Sequence, residues 1–223
     1  MEKYTRTEPP GKTAFPIHRA GYPLIFGSAF VTIILALLGL TTLTLIGLVA
    51  TIFTCAFFRD PDRVIPDRPE AVVSPADGKI IFVGKVADSP FELGDTLKIS
   101  IFMSVFNVHV NRIPFTGRIK DIQYYPGKFF SANLDKASKK NEHNAVLLET
   151  EQGKDICFVQ IAGLIARRII CYISPQDQVL RGQRFGIICF GSRLDVYLPF
   201  DADVDVNVGD MVQAGTSVLG KLK

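Results

Sequence analysis

From Pro23 to Phe58 the chain runs for 36 residues without an Asp, Glu, Lys, Arg or His. No other feature limits the fold as strongly, because an uncharged apolar stretch of this length calls for a lipid environment. As one straight helix it would be roughly 54 Å long at ~1.5 Å per residue, against a hydrocarbon core of about 30 Å. A hairpin of two shorter helices fits better, with the break expected at GLTT, Gly39 to Thr42. Each arm would hold about sixteen residues, so a hairpin dipping into one leaflet or barely crossing is favoured over a single tilted span. Lys3, Arg6, Lys12 and Arg19 precede the run, and Arg59, Arg63 and Arg68 follow it. Basic residues collect on the cytoplasmic side, so both flanks are expected there, at the cell membrane, as a hairpin allows and a single span does not. A cleaved signal peptide would have a shorter apolar core and a small-residue cleavage site; the run ends instead in CAFFRDPDR.

The next segment, RDPDRVIPDRPE, packs three prolines and seven charges into twelve residues and reads as a linker. Beyond it come short segments rich in β-branched and aromatic residues: VVSPADGKIIFVGKV, LKISIFMSVFNVHVNRI, GRIKDIQYY, RRIICYI and RFGIICFG. NAVLLETEQGKDICFVQI reads as a hairpin turning near Gly153. One polar, lysine-rich interlude, FFSANLDKASKKNEHN, reads as helix or loop. Two stretches, SPADGKI with ELGDTLKI and LPFDADVDV with NVGDMVQAGTSVLGKL, share a strand, Gly-Asp turn, strand order seen in small barrel-sandwich domains; independent Gly-Asp turns explain them equally well. The expected fold is mainly β: a compact barrel-sandwich-like β body with an N-terminal hydrophobic helical hairpin. With 25 Lys+Arg against 22 Asp+Glu, nothing in the charge points to nucleic acid. Cys55, Cys157, Cys171 and Cys189 show no CxxC spacing, and His18, His109 and His143 are too scattered for a paired-histidine motif, so no metal site is expected.

Near the end, CFGSRLDV places a glycine and a serine together inside a strand-like run. A serine hydroxyl can attack the peptide carbonyl before it, giving an ester by N-to-O acyl shift. Glycine on the acyl side leaves that attack uncrowded and tolerates a strained backbone. Serine is a poor nucleophile at its free pKa, so a nearby histidine and an acid to orient it are required. His109, in FNVHVNR, is the one histidine in a strand-like apolar context, and Asp77, in SPADGKI, stands at a strand end beside a turn glycine. Each has a plainer reading, as a half-buried strand histidine and a common Asp-Gly turn. A lipoyl or biotinyl carrier would need a modifiable lysine at the hairpin tip, where Asp77 and Gly78 stand. A self-cleaving hydrolase is the stronger rival, keeping Ser192 as an N-terminal nucleophile.

Taken together, SPADGKI, FNVHVNR, YPGKF, NEHN, ARRI and RFGIICFGSRLDVYLP resemble the phosphatidylserine decarboxylases in their short (archaeal-type) form, across essentially the whole chain. The resemblance implies a proenzyme that cuts itself between Gly191 and Ser192. Ser192 would become a covalent pyruvoyl group, the cofactor that takes up the electrons released when phosphatidylserine loses carbon dioxide. It implies a self-cleavage triad of Asp77, His109 and Ser192. It also implies a heterodimer of a larger and a smaller chain, with higher oligomers of that pair compatible with the sequence. The expected organisation is a membrane-associated segment over 1–58, a β body over 59–191 and a small pyruvoyl-bearing chain over 192–223. Some longer members carry a second histidine three positions before the triad histidine; here Phe106 stands there, leaving His109, another group or water to deliver the proton. Arg167 and Arg168, or Lys128 in YPGKF, are candidates for the lipid phosphate, with simple solvent exposure an equal alternative. Asn107, Asn111 and Arg112 are candidates for supporting hydrogen bonds.

Overall fold

A computed structural model describes residues 4–5, 16–127, 141–163, 168–189 and 191–223. It divides into two compact units, Pro10–Asp62 and Met1–Pro9 with Arg63–Lys223.

In the first unit the apolar run forms two helices, α1 (Tyr22–Leu37) and α2 (Thr41–Phe57). The break falls at the expected place, with Gly39 at φ +72°. The helices pack side by side where Gly47 leaves room for Thr32: a Cβ on Gly47 would stand 2.6 Å from Thr32 Oγ1. The Thr32 and Thr51 hydroxyls approach to 3.4 Å, and each donates to a carbonyl one turn back, Ser28 and Gly47, at 2.8 Å. Hydroxyls satisfied within the helices suit an environment without water. None of the described residues of α1 is buried, and Phe26, Phe30 and Leu37 are among the most exposed. A helix apolar all round and exposed needs lipid or another apolar partner to cover it. The segment Arg19–Leu37, 19 residues at mean hydropathy 1.9, is long and apolar enough to cross a membrane by length and composition, while α2 is shorter.

The second unit is built from strands: β1 (Tyr4–Thr5), β2 (Ile65–Pro66), β3 (Ala71–Val73), β4 (Gly78–Val86), β5 (Thr96–Met103), β6 (Val110–Arg112), β7 (Gly117–Tyr125), β8 (His143–Glu149), β9 (Asp155–Ala162), β10 (Ile169–Cys171), β11 (Gln178–Val179), β12 (Arg184–Ile188), β13 (Ser192–Pro199), β14 (Asp203–Val204), β15 (Met211–Val212) and β16 (Val218–Lys221). Eight of them form one curled antiparallel sheet in the order β11-β7-β8-β9-β13-β5-β4-β15. Two three-stranded sheets, β10-β12-β6 and β14-β16-β3, add to it, and β1 pairs with β2. The expected mainly β body with a helical hairpin is what forms, and the β8–β9 hairpin turns at Gly153. LKISIFMSVFNVHVNRI forms two strands, because Ser104 and Asn107 close a tight turn between β5 and β6. The interlude lies largely outside the described residues.

Strand alternation sorts β13 into two faces. Leu194, Val196 and Leu198 point inward with Ile101, Phe158, Phe185 and Leu219. Each such side chain contributes about 1.5–3 kcal/mol when removed from water. Arg193, Asp195 and Tyr197 point to the other face, where Arg193 pairs bidentately with Asp195 (2.8 and 2.9 Å) and Lys98 adds a third contact at 3.0 Å.

Candidate active site

Ser192 is the first residue of β13 and is fully buried. It stands between Met103, the last residue of β5, and Ala162, the last of β9. The preceding residue, Gly191, has φ +65°, a left-handed conformation that glycine adopts without penalty, and among the described residues none beyond its chain neighbours lies within 4 Å of where its Cβ would be. The candidate scissile bond therefore joins a left-handed glycine to a serine locked into a central strand.

His109 is brought to the same end of the molecule by β6 and β12. Its carbonyl accepts from Ile188 N–H at 3.4 Å, four residues before Ser192, continuing the pairing of Val110 with Ile187. The ring is fully buried, and Nδ1 lies 2.9 Å from the Asn107 carbonyl. A backbone carbonyl at Nδ1 selects the tautomer protonated there and leaves the Nε2 lone pair to act as base.

Asp77 ends the turn before β4. Its Oδ2 accepts from Arg63 at 2.7 Å and its Oδ1 from Ala214 N–H at 2.7 Å. Gly78 fixes the turn, since a Cβ there would stand 2.2 Å from the Phe102 carbonyl oxygen. Both carboxylate oxygens are thus engaged by partners other than His109. The fold brings His109 and Ser192 to one end and ties Asp77 into a clamp with the linker.

Arg168 is exposed, and its carbonyl accepts from Cys189 N–H at 3.1 Å, placing it beside the same strand end. Burial pushes the Cys189 thiol up, with the Arg168 guanidinium working in the opposite direction. Arg167 and Lys128 lie outside the described residues. His143 is half-buried and stacks on Tyr125 with ring centroids 4.7 Å apart. Both line an opening of about 820 Å³ with Phe82, Lys98, Arg193 and Tyr197, on the sheet face opposite the Ser192 side chain.

Behind Ser192 runs a buried polar chain. Ser192 Oγ donates to Met103 Sδ at 3.2 Å, and Asn111 Nδ2 reaches the same sulfur at 3.8 Å. Gln160 Nε2 donates to Asn111 Oδ1 at 2.9 Å, and Asn144 Nδ2 donates to Gln160 Oε1 at 3.1 Å. Each amide fixes the polarity of the next, so Asn111 presents its N–H toward the sulfur that accepts from Ser192. Asn111 was expected as a supporting group and Asn107 holds His109, whereas Arg112 donates to the Gly182 carbonyl at 2.8 Å. Met103, Gln160 and Asn144 were missed; a glutamine amid the apolar CFVQIA was their one trace in the sequence. Gln160→Leu is expected to leave Asn111 Oδ1 and Asn144 Nδ2 buried without this partner and to destabilise the fold by about 1–3 kcal/mol, read as a lower urea midpoint.

Comparison with known proteins gives one family. The family model described as phosphatidylserine decarboxylase matches residues 50–220. A phosphatidylserine decarboxylase proenzyme of Desulfotalea psychrophila is 51% identical over 207 residues, covering 93% of this chain and 97% of the relative. Proteins of the same name from Geotalea uraniireducens and Syntrophus aciditrophicus are 49% and 48% identical, covering 93% and 92% of this chain and 97% and 96% of their own lengths.

Proposed function

The chain belongs to the phosphatidylserine decarboxylase family, and on that premise we propose that it is made as a proenzyme, cuts itself between Gly191 and Ser192, and converts phosphatidylserine to phosphatidylethanolamine and carbon dioxide. The observation that carries this assignment is Ser192 itself: a buried hydroxyl at the head of a central strand, directly after a left-handed glycine.

Cleavage begins when His109 Nε2 takes the Ser192 hydroxyl proton and Oγ attacks the Gly191 carbonyl carbon. The C–N bond breaks, the proton passes to the freed amine, and Gly191 is left as an ester on Oγ. Loss of the residue 192 α-proton then expels the Gly191 carboxylate together with Oγ. Water hydrolyses the remaining enamine, ammonia leaves, and a ketone flanked by a methyl group remains at residue 192. The neighbourhood fits that product, because Met103 and Ala162 flank the residue and a thioether accepts a hydroxyl and packs a methyl equally well. The pyruvoyl group supplies a conjugated carbonyl that accepts the electron pair released with carbon dioxide.

Asp77 acts at a remove. In this conformation the Asn107 carbonyl orients the imidazole, while the Asp77 bonds to Arg63 and Ala214 hold the turn that packs against β6 through Arg112 N–H and the Pro75 carbonyl. Asp77→Asn is expected to slow or block cleavage and to cost about 1–3 kcal/mol of stability, seen on a gel time course and in the urea midpoint.

After the cut, residues 1–191 form the larger chain, comprising the membrane-associated segment 1–58 and the β body 59–191, and residues 192–223 form the smaller. The two stay together as a heterodimer, because β13 is hydrogen-bonded along its length to β5 and β9 of the larger chain. Arg168 is assigned to the lipid phosphate, with Arg167 and Lys128 as further candidates. The apolar hairpin with its basic flanks holds the enzyme on the cytoplasmic face of the membrane.

Intact mass of the purified protein tests the reading. Two chains are expected, the smaller lighter by one ammonia than a peptide beginning at Ser192 and refractory to Edman degradation. A free serine amine on that fragment would favour the N-terminal hydrolase.

A further inference from the structure

The turn between β5 and β6 is joined to the site at both ends. It begins directly after Met103, the residue opposite Ser192, and ends two residues before His109. Asn107 Oδ1 accepts from Ser104 N–H (2.8 Å) and Ser104 Oγ (2.7 Å), and Asn107 N–H donates to the Ser104 carbonyl at 3.0 Å. Three hydrogen bonds in four residues hold the turn stiffly. At its tip Phe106 is 74% exposed, the most exposed large apolar side chain among the described residues of the β unit. Exposed Arg168 stands at the same end, held through its carbonyl to Cys189.

We propose that Phe106, with Arg168 beside the same strand ends, seats the reacting end of the β unit in the headgroup layer of an anionic bilayer. This rests on the assigned decarboxylation. The reacting carboxylate of such a lipid lies in the headgroup plane, so the residue 192 end must reach that plane. A rigid aromatic tip three residues from both Met103 and His109 enters the interface without carrying charge into it, and the guanidinium meets the phosphate layer. The hairpin helices tether the protein to the membrane, whereas this tip orients the β unit on it.

The chain contains no tryptophan, so a single Phe106→Trp substitution is a unique fluorescent reporter. With vesicles of phosphatidylserine and a brominated phosphatidylcholine, the indole emission of the Phe106→Trp protein is expected to fall at least twofold. Phe200→Trp is the control, because Phe200 is exposed beyond the far end of β13, roughly 26 Å from Ser192 at ~3.3 Å per residue. The Phe200→Trp protein is expected to keep its emission. Unquenched emission from Phe106→Trp protein that sediments with the vesicles, or equal quenching of the two variants, overturns the proposal. Phe106→Ser is expected to raise the apparent KM on phosphatidylserine vesicles five- to tenfold, with kcat and self-cleavage within twofold of wild type and no change on dispersed short-chain phosphatidylserine. An unchanged KM on vesicles also overturns it. Absence of carbon dioxide release by the wild-type protein from either substrate would instead sink the assigned reaction, while the quenching result stands independently.

Discussion

Ser192→Ala is expected to give one uncut chain of 223 residues with no measurable decarboxylase activity. The substitution removes a single oxygen from a fully buried side chain whose hydroxyl donates to Met103 Sδ. Loss of one weak hydrogen bond to sulfur costs about 1 kcal/mol or less, so the folded sheet and its pairing with β5 and β9 should persist. The chemical consequence is total, because the attacking atom and the carbon that becomes the ketone's methyl neighbour both belong to this side chain. Alanine offers no nucleophile for the Gly191 carbonyl and no leaving group for elimination. Denaturing gels, intact mass and carbon dioxide release from phosphatidylserine read the result together. A cut Ser192→Ala protein would show that another group attacks the backbone, and an active uncut one would show that decarboxylation needs no ketone at residue 192.

How much of this could be read from sequence alone depends on whether the information is local. The helical hairpin was legible because an uncharged run of known length has few solutions, and Gly39 supplies the left-handed residue its turn uses. The β8–β9 hairpin was legible because an alternating pair of segments meets at Gly153. The break between β5 and β6 was hidden, since Ser104 and Asn107 make their turn with a side-chain bond that leaves the apolar pattern nearly continuous. The partners of the candidate site were hidden more deeply. Arg63, in a stretch read as linker, pairs with Asp77; Gln160 reaches Asn111 across 49 positions; and Met103 meets Ser192 across 89. Such contacts are set by sheet order, and sheet order is not a property of any one segment. The candidate site was suggested less by the Gly-Ser pair, which is too short to be specific, than by several motifs in one order along the chain that together resemble a single family.

His109→Ala is the second large effect. A positioned general base contributes about 10²–10⁴ in rate, so a proenzyme processed within minutes should remain largely uncut over hours. The assignment of the base to Nε2 follows from the Asn107 carbonyl at Nδ1, and a second variant separates this from a packing role. His109→Gln keeps a buried amide that can still donate to that carbonyl, but it has no basic nitrogen. If the histidine merely fills space, glutamine should restore cleavage to near the wild-type rate. If it takes the serine proton, both variants should stay uncut while unfolding at similar urea concentrations. Normal cleavage of either folded variant on a gel would remove histidine from the proton transfer. Exogenous imidazole supplies the complementary arm, since the alanine variant leaves a ring-sized void at a fully buried position, from which the proposed reaction has the base reach the Ser192 hydroxyl. Small bases admitted to that void should recover part of the cleavage in His109→Ala and none in Ser192→Ala, because a borrowed base can replace the proton acceptor but not the attacking oxygen.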